Sequence, residues 1–265
     1  MLVQAIKTEG MAIRMLFSNK LTLLLIVMIY GALLGVGYLF VSTREATITQ
    51  LVVTLAVVVV APVLFFVLQA VSVNYASDQR PTSLIRKVAF DALRLVAVTV
   101  PLIVVTALVF WGLGKIDSHL TIATTLRYLL IGVIAPLLMI QLWVAASRSG
   151  LRQLLRRAPQ TLAKAFAPQS VFVYACGFLL FAVAPYLLVF HTTQTDRVWL
   201  EVSLLAVRLT ASALLILFGW VTTVGALSLT QQFADECQRT ATSFSAQTTR
   251  NSRNNAMPIT RTGSH

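Results

Sequence analysis

Six long apolar runs alternate with short polar segments along this 265-residue chain. The runs are Leu21–Val41, Leu51–Val73, Leu95–Leu113, Tyr128–Ala146, Val171–Phe190 and Leu204–Leu229. Each is about 20 residues or longer, enough to cross a hydrocarbon core roughly 30 Å thick. Because the backbone must satisfy its own hydrogen bonds in lipid, each run is predicted to be a helix. The pattern therefore predicts an all-α, polytopic bundle of six transmembrane helices.

Three basic segments precede the first, third and fifth runs and have a helical pattern. They are Met11–Lys20, Ser83–Arg94 and Leu151–Phe166. Their apolar residues fall on one side of a helix, which is typical of helices lying in the headgroup plane. We expect three hairpins, each with a basic amphipathic lead-in segment on the cytoplasmic side. A threefold repeat and basic flanks that are helical by coincidence both fit this pattern.

The net charge of +12 is distributed unevenly along the chain. Most lysines and arginines lie before the first run, in the second and fourth links and after the sixth run, all on one side of the membrane. The positive-inside rule places both termini in the cytoplasm. The basic surface predicts attraction to anionic lipids on the cytoplasmic face. Nucleic-acid binding is not expected, because no recognition motif accompanies the charge.

The start of the first apolar run and the end of the sixth divide the chain into three regions. Residues 1–20 are a cytoplasmic amphipathic N-terminus, residues 21–230 the six-helix membrane domain and residues 231–265 a cytoplasmic tail. The tail is rich in Ser, Thr, Asn, Gln and Arg from about Gln238 and is expected to be disordered. Cys176 and Cys237 are expected to be free thiols, since no redox or metal spacing surrounds them.

The lead-in Arg14-Met-Leu-Phe-Ser-Asn-Lys20 before the first run carries a resemblance to a broad group of bacterial six-span membrane proteins. That group includes the membrane domain associated with some glycerophosphodiester phosphodiesterases. The resemblance covers the spans and implies this fold and an inner-membrane location. It carries over no catalytic residue, because the phosphodiesterase chemistry of that group lies in a soluble domain not found in these 265 residues.

Arg208 is the most informative polar residue, because it lies inside the sixth run. A charge at the centre of a membrane helix costs about 2.5–3.5 kcal/mol on insertion scales. Glu201 lies two helical turns earlier and is placed to pair with it, whereas the alternative is that Arg208 snorkels to the headgroups. Arg127 opens the fourth helix at the same interface. If both arginines converge, they form an outer-leaflet site for an anionic group or lipid.

Prolines and glycines mark helix shape and packing. Pro62, Pro101, Pro136 and Pro185 place one proline in each of helices two to five, where each can kink its helix. Gly31 and Gly35 form a GxxxG pattern that permits close helix approach, within the bundle or toward a partner.

No pattern in the sequence identifies a catalytic centre. Nucleotide-binding loops, nucleophile elbows and metalloprotease motifs do not occur, so no catalytic residue, metal ligand or cofactor is predicted, and an enzyme is not expected. His191 at a helix end is the one candidate axial ligand for a haem or chlorophyll.

Three functions fit these observations. The first is a non-catalytic subunit, such as a scaffold, accessory or assembly protein, that binds other membrane chains. The second is a transporter or lipid-handling protein with an anionic-group site near Arg208, which predicts a cavity or lateral groove containing that residue. The third is a cofactor-binding subunit of an electron-transfer or light-harvesting complex.

Overall fold

The computed structural model describes residues 2–43, 47–75, 81–115, 121–156, 158–190 and 197–255, and all secondary structure in these ranges is helical. The α-helices are α1 Leu2–Ser18, α2 Lys20–Ser42, α3 Ile48–Asn74, α4 Pro81–Lys115, α5 Thr121–Leu129, α6 Ala135–Ser149, α7 Leu151–Arg156, α8 Ala158–Ala165, α9 Pro168–Phe178, α10 Ala184–Phe190 and α11 Val198–Asn255. Two π-helical turns, π1 Leu130–Ile134 and π2 Leu179–Val183, join α5 to α6 and α9 to α10.

Six helical stretches are long and apolar enough to cross a membrane, which confirms the predicted fold class. They are Lys20–Ser42, Ile48–Asn74, Lys87–Lys115, Ile122–Ser149, Pro168–Phe190 and Val198–Phe233. Helices that follow one another in sequence pack together, α2 on α3, α3 on α4 and α4 on α6. The chain is therefore an integral membrane protein built as an all-α bundle.

The three lead-in segments are helical but differ from one another. The first belongs to the separate helix α1, which packs on α9. The second is continuous with the membrane helix α4. The third comprises α7 and α8 and ends at Ala165, before the membrane helix α9 begins at Pro168. The predicted equivalence of the three segments therefore does not extend to their structure.

Two of the four prolines follow a π-helical turn. Pro136 and Pro185 each come after an alanine whose N–H donates to the carbonyl five residues back, Ala135 to Leu130 and Ala184 to Leu179. A proline has no N–H to donate to the carbonyl oxygen four residues earlier. A π-helical turn is one way in which a helix accommodates this lost hydrogen bond. The carbonyl oxygen of Gly132, four residues before Pro136, instead accepts a hydrogen bond of 2.7 Å from the Tyr174 hydroxyl.

Helix α11 contains the most deeply buried stretch of the membrane domain. All residues from Val221 to Leu229 are buried, so this part of the helix is enclosed on every side. The Tyr75 hydroxyl of α3 donates to the Val221 carbonyl oxygen at 3.3 Å. The Arg148 guanidinium of α6 donates to the carbonyl and hydroxyl oxygens of Ser228, both at 2.8 Å. Other helices are thus bonded directly to the backbone of α11.

Gly225 and Gly177 explain how the neighbouring helices approach α11 so closely. A Cβ on Gly225 would collide with the Tyr75 hydroxyl, and a Cβ on Gly177 of α9 would collide with the Thr223 side chain. Small residues at such contacts let membrane helices pack tightly.

The chain divides into two compact units, residues 1–229 and 230–265. In the second unit the helix continues to Asn255, whereas composition predicts disorder from about Gln238. Residues 231–255 contain neither glycine nor proline, so nothing in the backbone interrupts the helix that begins at Val198.

Replacing Gly225 with alanine tests the packing around α11. We expect Gly225→Ala to destabilise the protein by about 1–3 kcal/mol, the usual cost of overpacking a close contact. Gly112→Ala is the matched control, because a Cβ at Gly112 meets nothing within 4 Å. Thermal unfolding in detergent micelles measures both variants, and equal unfolding temperatures would contradict the packing described.

Candidate functional site

One end of the bundle, where α3 ends and α4 begins, contains a buried polar network. The Asp91 side chain is only 1% exposed and accepts a hydrogen bond of 3.0 Å from Asn74 Nδ2. Arg94 contacts the other carboxylate oxygen of Asp91 at 3.3 Å and lies over the Phe90 ring at 4.4 Å. The buried carboxylate is therefore paired with both an amide and a cation, as buried charges require.

Two tryptophans extend this network toward the middle of the bundle. Trp220 Nε1 of α11 donates to Gln69 Oε1 of α3 at 2.8 Å. Trp143 Nε1 of α6 donates to the Thr99 hydroxyl of α4 at 2.7 Å, and that hydroxyl donates to the Leu95 carbonyl oxygen. Together with the Arg148–Ser228 bonds, these contacts form what we call the polar core. Its polar groups bond helix to helix and hold this end of the bundle together.

Helix α1 adds a carboxyl group beside the polar core. One face of α1 is buried and consists of Ala5, Thr8, Ala12 and Leu16, at helical spacing. Glu9 lies next to this face, and its Oε1 is buried without a hydrogen-bond partner among the described residues. Burial raises the pKa of Glu9 from its ordinary 4.5 to about 7.

Tyr75 connects Glu9 to the centre of the bundle. Burial raises the pKa of the Tyr75 hydroxyl above its usual range, and the nearby charge of Glu9 raises it further. Because the Glu9 carboxyl is itself buried beside the packed face of α1, its protonation bears on how α1 docks against the membrane helices.

The opposite half of the bundle is open and apolar. A cleft with a volume of about 1170 Å³ lies between α2, α3, α4 and the π1–α6 helix. Apart from Thr99 and Thr106 its lining is apolar, with residues such as Val36, Phe65 and Ile103. Ligand pockets usually enclose about 300–1,000 Å³, so this cleft has ample room for a large apolar group.

The cleft has a floor and a rim that set its depth. Thr99 and Phe65 lie at the floor, where Thr99 is bonded to Trp143 and the Phe65 and Trp143 rings are 6.3 Å apart. Phe110 lies at the other end of the lining on α4. Eleven residues separate Thr99 from Phe110, which corresponds to roughly 16 Å at 1.5 Å per residue. This is about half of a 30 Å hydrocarbon core, the depth of one leaflet.

Arg208 borders a second cavity. It shares a volume of about 710 Å³ with Ala184, Leu187, Leu188 and Phe190, so its side chain faces α10 and the end of the fifth span. Glu201 is exposed on the same helix, two turns before Arg208. Arg208 thus borders a cavity of the kind that the lipid-handling hypothesis predicts, and its pairing with Glu201 stays a prediction.

Arg127 lies elsewhere, against the end of α4. Its guanidinium carbon is 5.2 Å from the centroid of the Phe110 ring, at the rim of the cleft. Its Nε is buried without a hydrogen-bond partner among the described residues. The two arginines therefore contact different helices, α4 for Arg127 and α10 for Arg208, and a shared anion site stays a prediction.

The prolines and glycines singled out from the sequence lie in different surroundings. Pro62 and Pro136 line the cleft, Pro185 is buried and Pro101 is exposed on α4. Gly31 and Gly35 are exposed, and a Cβ at either would meet nothing within 4 Å. His191 lies outside the described residues.

Sequence reasoning did not identify Glu9, Asp91 or the cleft. In the sequence, Glu9 and Asp91 lie in basic, helix-forming segments, and nothing in the pattern distinguishes them from other surface acids. The spacing of Ala5, Thr8, Ala12 and Leu16 could have indicated a protein-facing side of α1. No sequence signal indicates the cleft, which depends on how four helices separate.

No protein family, curated protein or solved structure matches the chain. The resemblance to six-span bacterial membrane proteins stays a prediction.

The raised pKa of Glu9 predicts that docking of α1 depends on pH. A carboxyl group whose folded pKa exceeds its unfolded value stabilises docking fully below about 4.5, and this stability is lost as pH rises through about 7. We expect amide protection of residues 2–18 in hydrogen exchange to fall over this range. Glu9→Gln removes the charge and keeps the protection constant.

The wild type and the variants are compared by the protection factors of residues 2–18, which are corrected for the pH dependence of intrinsic amide exchange. The titratable groups in the surroundings of Glu9 are Tyr75 and Cys176. Tyr75→Phe therefore serves as a second control, in which the pH dependence due to Glu9 persists. Identical profiles for the wild type and Glu9→Gln would show that Glu9 does not control docking.

Proposed function

We propose that this protein is a lipid-handling integral membrane protein of the bacterial cytoplasmic membrane, and that the apolar cleft holds a lipid chain. The observation that carries the proposal is the cleft of about 1170 Å³, open between α2, α3, α4 and α6 and lined almost entirely by apolar groups. An apolar space of this size in a bilayer is filled by hydrocarbon, because water gains no hydrogen bonds there.

The shape of the cleft supports a chain rather than a compact ligand. Its lining runs for roughly 16 Å along α4, so an extended chain parallel to the helices fits it. The lining offers aliphatic and aromatic contacts, with hydroxyl groups only at Thr99 and Thr106. The Thr99 hydroxyl is already engaged with Trp143 and Leu95. The cleft is therefore suited to binding and presenting a chain.

The charge pattern supports an orientation for this site. With both termini in the cytoplasm, as the basic links predict, the polar core and α1 lie on the inner side. The cleft then opens into the outer leaflet. The Arg208 cavity lies at the same outer level, beside the end of α10.

A second candidate function, a non-catalytic subunit of a larger membrane complex, has one observation in its favour. Gly31 and Gly35 are exposed, and a Cβ on either would meet nothing within 4 Å in the described part of the chain. Such a face of small residues allows close approach of a helix from another chain. Purification in mild detergent, with mass spectrometry of the chains that accompany this one, tests that function.

Filling the cleft tests the lipid proposal. We expect Ala107→Trp, on the α4 wall, to lower labelling of the cleft by a phosphatidylcholine with a diazirine-bearing chain about tenfold, the effect of losing roughly 1.4 kcal/mol of binding. Ala56→Trp is the matched control, since Ala56 is exposed on α3 and does not line the cleft. Cross-links are mapped by mass spectrometry in reconstituted vesicles.

The distribution of the cross-links separates a bound chain from ordinary contact with the bilayer. A bound chain labels lining residues such as Phe65 and Met139 in excess over outward residues such as Leu108. Even labelling of all exposed helix faces, unchanged by Ala107→Trp, would contradict the proposed function. Unfolding temperatures of both variants establish that the bundle is intact.

A further inference from the structure

The rim of the cleft carries two cations held on aromatic rings. The Arg127 guanidinium lies 5.2 Å from the Phe110 ring centroid, and Lys115 Nζ lies 4.1 Å from the Trp111 ring centroid. Phe110 itself lines the cleft. Arg127 therefore lies at the cleft's outer end, and Lys115 lies just beyond that end along α4, beside Trp111, which is not part of the lining.

Arg127 fits in this position because Gly114, the residue of α4 that it packs against, has no side chain. Its guanidinium lies directly against Gly114, in the space that a Cβ would fill. In addition, Ile131 lines the cleft one turn after Arg127 on the same helix. Arg127 thus packs against α4 at the rim, and it lies on the same helix face as Ile131, which lines the cleft.

Neither rim cation is neutralised by the described part of the chain. The ion pair found there joins Arg94 to Asp91 in the polar core, far along α4 from Lys115. Arg127 Nε is also buried with no hydrogen-bond acceptor among the described residues. A buried cationic group without an acceptor favours an anionic oxygen at this place.

The aromatic rings indicate the depth of the rim. Trp111 is 63% exposed beside Lys115, and tryptophan with a neighbouring lysine is typical of the headgroup level of a bilayer. Phosphate oxygens of lipids lie at this level. The rim therefore combines apolar walls below, aromatic rings at the interface and two cations at phosphate height.

From this arrangement we infer that the cleft selects a lipid with an anionic phosphate headgroup, whose chain lies in the cleft and whose phosphate contacts Arg127 and Lys115. The inference rests on the proposed function, since it requires a lipid chain in the cleft. Arg127 donates charge-assisted hydrogen bonds from its guanidinium, and Lys115 adds a second positive charge. A headgroup with net negative charge complements the rim better than a zwitterionic one.

Two photoactivatable lipids with the same diazirine-bearing chain test the inference, one with a phosphatidylglycerol and one with a phosphatidylcholine headgroup. We expect phosphatidylglycerol to label the cleft of the wild-type protein about tenfold more than phosphatidylcholine, because the choline cation of phosphatidylcholine is repelled by Arg127 and Lys115 whereas glycerol is neutral. Arg127→Gln is expected to lower labelling by phosphatidylglycerol toward that by phosphatidylcholine, because the repulsion of the choline cation is weakened together with the phosphate contact that both lipids share.

The rim glycines provide a matched pair of variants that leave Arg127 in the chain. Gly114→Ala displaces the guanidinium and is expected to reduce the preference as Arg127→Gln does. Gly112→Ala, whose Cβ meets nothing within 4 Å, retains it. Equal unfolding temperatures of these two variants establish that the loss is local.

The outcomes distinguish the two levels of the proposal. Cleft labelling by both lipids to the same extent in the wild type would overturn the headgroup inference and leave the chain-binding function intact. A preference for phosphatidylglycerol that persists in Arg127→Gln and Gly114→Ala would also overturn the inference. Absence of cleft labelling by either lipid, or cross-links through the cleft to a second copy of the chain, would overturn the proposed function itself.

Discussion

The rest of this structure depends on the enclosure of one stretch of α11. Between Val221 and Leu229 every residue is buried, and α3 and α6 are hydrogen-bonded to its carbonyl oxygens. Lipid chains are as apolar as leucine, so burial of apolar surface cannot by itself drive these helices together. Close packing at Gly225 and Gly177 and hydrogen bonds such as Trp220 to Gln69 do so instead.

This constraint explains why the two halves of the bundle differ. Among the described residues, the side-chain bonds that join α4 to α3 and to α6, Asn74–Asp91 and Trp143–Thr99, lie at one end of these helices. Above that level the described lining of the space between α2, α3, α4 and α6 is apolar apart from Thr106, and no residue of α11 is part of that lining. As a result, the helices are packed closely at the end that contains the polar core and are separated by an apolar cleft toward the other end. The cleft, with Arg127 and Lys115 at its rim, is therefore a product of where the polar residues are placed.

The architecture was predictable from sequence, whereas the cleft was not. Runs such as Leu51–Val73 are long enough to span a membrane, and each run must be a helix because the backbone in lipid has to satisfy its own hydrogen bonds. The number of runs therefore gives the number of membrane helices. The interior bonds of Gln69 and Asn74 are of the kind expected for polar residues in such runs. Arg127 and Arg208 were singled out as charges near the membrane, but their partners depend on helix rotation, which hydropathy does not specify. The π-helical turn before Pro136 likewise involves a donor from another helix, the Tyr174 hydroxyl.

The central claim is that a lipid chain occupies the cleft in a bilayer. The most direct measurement is electron cryomicroscopy of the protein in lipid nanodiscs, with a bound antibody fragment to provide size. We expect continuous tubular density from Phe65 at the floor to Phe110 at the rim, ending in a headgroup feature beside Arg127. A cleft closed by approach of α2 and α4, or one with no density stronger than that of the surrounding lipid, would contradict the claim.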